Sequence, residues 1–82
     1  MQNYEYRVCS VQYGRVTFAN GVWQGSVPMS GDTNAALESC QNVWDYLSTA
    51  GRDGWELVSV ITHPQAQPEA VQDMLYLKRP AW

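Results

Sequence analysis

Basic side chains are scarce in this chain. Five Lys and Arg stand against eight Asp and Glu, for a formal charge of -3 over 82 residues. A protein that grips duplex DNA or RNA normally carries a cationic stripe to neutralise phosphates, so nucleic acid is not expected as a partner. His63 is the lone histidine, and Cys9 and Cys40 are the two cysteines. Zinc sites want three or four ligands at defined spacings, which these residues lack, and no metal is expected. At most one intramolecular disulfide is possible, and two small buried hydrophobes is the preferred reading. No run approaches the ~20 apolar residues of a membrane span. The stretch Met1-Gln2-Asn3-Tyr4-Glu5-Tyr6-Arg7 has neither the basic start nor the apolar core of a signal peptide, so a cytoplasmic protein is expected. The glycines at positions 14, 21, 25, 31, 51 and 54 show no GxxxxGK or GxGxxG spacing, hence no phosphate loop and no cofactor.

What is present is a short, apolar, aromatic-rich chain that reads as a single domain over residues 1–82. From Tyr4 to Tyr13 residues alternate, with Tyr4, Tyr6 and Val8 on one side and Glu5, Arg7 and Cys9 on the other, the period of a half-buried strand. Gly14-Arg15 breaks it and Val16-Thr17-Phe18 resumes it. Asn20-Gly21 is a strong two-residue hairpin signal, since a type I′ turn needs positive φ at both central residues, and Val22-Trp23-Gln24 is the returning strand. The Gly-, Ser- and Pro-bearing segment 25–32 is a loop leading to a helix that Asp32 or Thr33 caps. Ala36, Cys40, Val43 and Leu47 recur at helical spacing, flanked by Leu37 and Trp44, and the poor helix formers Ser39-Cys40-Gln41-Asn42 can divide the helix in two. Gly51 is expected as the left-handed cap, and Gly54 as the tight reversal. Trp55 to Thr62 is a strand apolar on both sides, expected at the centre of the sheet. A loop runs from His63 to Glu69. Val71 to Arg79 forms the last strand, with Met74, Tyr76 and Lys78 on one face and Leu75 and Leu77 on the other.

Strands, one helix, then strands describe an α+β domain of two layers: a mainly antiparallel sheet of four to five strands with one amphipathic helix packed on one face. A helix of about 16 residues is roughly 24 Å long and 10 Å wide, too little to cover four or five strands at about 4.8 Å spacing. The opposite face must then hold several of Tyr4, Tyr6, Phe18, Trp23, Trp55, Tyr76 and Trp82, where a solvated sheet would carry charge or Thr. A second copy of the chain, a ligand, or both is expected over it, because a closed symmetric oligomer lets an identical patch cover itself.

The blocks Tyr4-Glu5-Tyr6-Arg7-Val8, Gly51-Arg52-Asp53-Gly54-Trp55-Glu56-Leu57-Val58 and Leu75-Tyr76-Leu77-Lys78-Arg79-Pro80 resemble a small bacterial and phage family, number 4177 among the domains of unknown function. Its members read YEYKVV, then a helix ending LGxEGWELV, then a terminal strand ending KR. This chain has Asp53 where the family has Glu, and a longer segment from Asn20 to Asp32. The resemblance implies a fold and carries no settled activity. By its size and place, Trp55 anchors the seam between helix and sheet, while Gly21, Gly51, Gly54, Trp44 and Leu47 take structural roles.

Four of the five basic residues are arginine, suited to bidentate anion contacts and to stacking on rings. If Arg7 or Arg79 converges with Tyr6, Trp23 or Tyr76 at a subunit seam, the result is a pocket for a flat anionic molecule such as a nucleotide derivative. The plainer alternative pairs these arginines with Glu5, Asp53, Glu56 or Asp73. The function expected is therefore a non-catalytic homo-oligomer that sequesters or senses a small anionic ligand. Second comes a protein-interaction module with an aromatic sheet face. An enzyme, with Cys9 or Cys40 activated by His63 or a carboxylate pair at work, is well behind.

Overall fold

A computed structural model describes residues 2–63 and 72–81. In order along the chain come β1 (Tyr4–Gln12), β2 (Arg15–Ala19), β3 (Val22–Trp23), α1 (Thr33–Glu38), α2 (Val43–Arg52), β4 (Glu56–His63) and β5 (Gln72–Pro80). The strands make one antiparallel sheet in the order β3-β2-β1-β5-β4, so the architecture is the α+β arrangement that the pattern predicts. Most of the expected loop from His63 to Glu69, with Val71 and Trp82, lies outside the described residues, and His63 itself closes β4. Among the described residues, no helix is long and apolar enough to cross a membrane.

Two tight hairpins build one half of the sheet. Asn20 and Gly21 have φ of 49° and 80°, as a type I′ turn requires, and Tyr13 and Gly14 make a second turn with φ of 55° and 73°. Asn20 also holds the hairpin onto β1: its Oδ1 accepts from the Val8 N–H and its own N–H donates to the Val8 carbonyl, both at 2.8 Å. The helix divides at Ser39 to Asn42, where small polar side chains compete for backbone groups. Asp32 caps α1 by accepting from Asn34 and Ala35, and Asn42 caps α2 by accepting from Asp45. Between the helices the chain pairs with the start of β2, the Val16 N–H donating to the Gln41 carbonyl and the Val43 N–H to that of Gly14, each at 3.0 Å.

The core lies between α2 and one sheet face, where Tyr46 and Ala50 meet Cys9, Val11, Val16, Leu75, Leu77 and Trp55. Strand alternation places Glu5, Arg7, Cys9, Leu75, Leu77 and Arg79 on this side, as the period-2 reading predicts for β1 and β5.

Three expectations are corrected. Gly51 does not end the helix: α2 runs on through Arg52, and Gly54, at φ 89°, makes the left-handed reversal, with the Trp55 N–H returning to the Ala50 carbonyl. Trp44 has no anchoring role, since it stands 67% exposed on the outer side of α2, one position removed from the buried stripe that Leu47 flanks. Finally, the strand after Trp55 is not central. β4 is an edge strand and β5 lies between it and β1.

Candidate functional site

On the helix side, β1 and β5 set two arginines diagonally across the ladder, Arg79 opposite Glu5 and Arg7 opposite Leu77. Trp55, entering from the turn after α2, meets both. The Arg7 guanidinium carbon lies 4.3 Å from the indole centre and that of Arg79 4.4 Å, so one ring carries two stacked cations. Both are also held by hydrogen bonds. Arg7 donates to the Tyr46 hydroxyl at 2.8 Å, and Arg79 donates to the Asp53 carbonyl at 3.0 Å and forms an ion pair with Glu5. Arg15 is likewise engaged, donating to the carbonyls of Glu38 and Cys40. It borders an open groove of about 500 Å³ formed with Tyr13, Thr33, Asn34, Leu37 and Glu38.

Tyr46 connects this stack to the core, because the Cys9 thiol donates to its hydroxyl at 3.6 Å. Burial pushes the Cys9 thiol and the Tyr46 phenol above their ordinary values, the bond between them raising the phenol further, and burial also raises Cys40. At neutral pH both thiols are protonated, which is the wrong state for a nucleophile. Among the described residues, no cluster of His, Cys, Asp and Glu has the makings of a metal site.

The other sheet face lies away from α2. Tyr4, Tyr6, Val8 and Ser10 of β1 share it with Met74, Tyr76 and Lys78 of β5, as their cross-strand register shows. Phe18 and Trp23 continue the face at the β2–β3 end, ring edge to ring face with centroids 5.4 Å apart. Lys78 reaches over the Tyr4 ring at 4.7 Å, and Tyr6 is 66% exposed. Next to this face runs β4, which among the described residues pairs with β5 alone. Its apolar residues Leu57, Val58, Val60 and Ile61 are 41%, 54%, 50% and 45% exposed.

The sheet therefore separates the residues that the sequence grouped. Arg7 and Arg79 converge on Trp55 beneath the helix, whereas Tyr6, Trp23 and Tyr76 lie by register on the far side. Arg7 and Arg79 are engaged within the chain, by the Tyr46 hydroxyl and by Glu5 and the Asp53 carbonyl. Sequence reasoning missed Tyr46, which the heptad-like spacing of Val43 and Leu47 overshadowed, and it missed that β4 lies at the sheet edge with its apolar residues exposed. Compared with models of known protein families, with curated proteins and with solved structures, the chain matches none.

Proposed function

We propose that the chain is a non-catalytic interaction module that docks another protein chain on the open sheet face and the adjoining edge of β4. One observation carries the reading: an eight-residue edge strand whose four apolar side chains all stand about half exposed. Edge strands normally carry Lys, Pro or other guards against pairing, and the guards on β4 are Glu56 and a bulge between Leu57 and Ser59. Exposed apolar surface contiguous with an aromatic face is the usual mark of a protein contact. The test is a photo-crosslinking amino acid placed in the cell at position 6, on the open face, or at position 44, equally exposed on the helix layer. Adducts of defined mass from position 6, well above those from 44, support the reading; equal labelling from both removes it.

A second reading is favoured by Lys78, whose ammonium lies over the Tyr4 ring and which stands in register between Tyr6 of β1 and Glu56 of β4. It would give a flat anion a cation and ring faces to stack on. Titration with a panel of nucleotides and cyclic dinucleotides, repeated with Lys78→Ala, decides this: heat released by the parent chain and lost in the variant supports it, and silence across the panel ends it. We also place the protein in the cytoplasm, where its two free thiols suit a reducing compartment.

A further inference from the structure

Resting on the interaction reading above, we propose that the occupant of the β4 edge is β4 of a second copy of this chain, paired antiparallel about a twofold axis through Val60. The two sheets then continue as one sheet of ten strands.

The register follows from the faces of β4. Its pairing with β5 sets Leu57, Val60 and Thr62 on the helix side, opposite Leu77, Leu75 and Asp73, and Glu56, Ser59 and Ile61 on the open side, with Val58 taken up by the bulge. Residues directly opposite in an antiparallel pair must share a face. Centring on Val60 satisfies this: Val60 meets Val60, Ser59 meets Ile61, and beyond the bulge Leu57 meets Thr62. Charge agrees with that choice, because the two Glu56 residues are kept at opposite ends of the contact and no like charges meet. Moving the pairing centre toward Glu56 would bring the two carboxylates together. For two chains of net charge -3, a nearly uncharged strand is also the place where approach meets least repulsion.

An axis normal to the sheet puts both α2 helices on one side and the Tyr4–Tyr6 faces on the other. Leu57, Val60 and Ile61 each gain a partner on their own face, which explains why the strand is apolar on both sides although it lies at an edge. The contact is a strip about 26 Å long, from eight residues at ~3.3 Å each, smaller than a standard interface, so the dimer forms reversibly in the micromolar range.

Sedimentation of the full chain from about 1 to 200 µM spans that range. The expected result is a monomer–dimer equilibrium for the parent and a monomer for Val60→Lys, with unchanged far-UV circular dichroism. Position 60 on a twofold axis also makes a sharper statement. Opposed Cα atoms lie about 4.5–5.5 Å apart, within disulfide reach, so Val60→Cys should crosslink to itself on mild oxidation. Thr62→Cys alone should not, but should do so when combined with Leu57→Cys. The native thiols are buried and give little background. A chain that stays monomeric and shows no crosslink at 60 overturns the proposal. So does a dimer that survives Val60→Lys and crosslinks elsewhere. Neither result touches the interaction reading, which fails only if positions 6 and 44 label alike.

Discussion

Trp55 gives the most demanding test of the packing described here. It is 8% exposed, stacked with Arg7 and Arg79, and its indole N–H has no hydrogen-bond partner among the described residues. Truncating such a side chain to Ala removes the ring and both cation contacts and leaves a cavity, for a loss of about 3–5 kcal/mol. Trp55→Phe is a different perturbation. It retains a ring for both arginines and deletes roughly three ring atoms, about 2 kcal/mol of transfer at ~0.8 kcal/mol per carbon-sized group. Against this, it removes a buried donor whose desolvation costs about 1–3 kcal/mol while it is unpaired. The net change for Phe is therefore within about 1 kcal/mol of zero, and the gap between the two variants is at least about 2 kcal/mol. An 82-residue domain is expected to be stable by about 4–12 kcal/mol, so the Ala variant approaches the limit of folding and the Phe variant does not. Urea unfolding followed by far-UV circular dichroism, at one fixed low protomer concentration so that association does not shift the midpoint, reads both. A Phe variant as damaged as the Ala variant would refute the unpaired N–H.

Three further outcomes are expected. Gly51 lies inside α2 with open space where a Cβ would go, so Gly51→Ala should stabilise by about 0.5–1 kcal/mol, whereas Gly54→Ala forces a side chain into φ 89° and should destabilise by at least about 1 kcal/mol; thermal midpoints that move in the same direction would show the cap is misplaced. Arg7→Ala leaves the buried Tyr46 hydroxyl without its cation partner and should lose about 1–2 kcal/mol; a double-mutant cycle with Tyr46→Phe should return a coupling near 1 kcal/mol, and strict additivity would deny the bond. Cys9, Cys40 and Tyr46 all have folded-state values above their ordinary ones, led by burial, so their contribution is complete below the ordinary thiol value of 9.0 and is lost as pH rises through the raised values. Urea midpoints should fall above about pH 9, less steeply in Tyr46→Phe, and a flat profile to pH 11 would contradict the burial of these groups.

Local regularities were open to reading from the residues alone. Alternation along Tyr4 to Cys9 and along Met74 to Lys78 predicts which side chains share a face, because the two-residue period belongs to the strand backbone itself. Asn20-Gly21 predicts its hairpin because few dipeptides tolerate two successive left-handed residues, and Ser39 to Asn42 predicts the break between the helices because their side chains compete for backbone hydrogen bonds. What tertiary structure alone decided is which elements lie side by side. An apolar pattern on both sides of Leu57 to Ile61 states that the strand needs cover, and is silent on whether β5 supplies it on both flanks or on one. In the same way, arginine chemistry at positions 7 and 79 permits an anion site. These residues close on Trp55 instead because β1 and β5, distant in sequence, are neighbours in the sheet, and because α2 covers that face rather than the other. Strand adjacency depends on contacts between distant parts of the chain, which leave no periodic trace in any one segment.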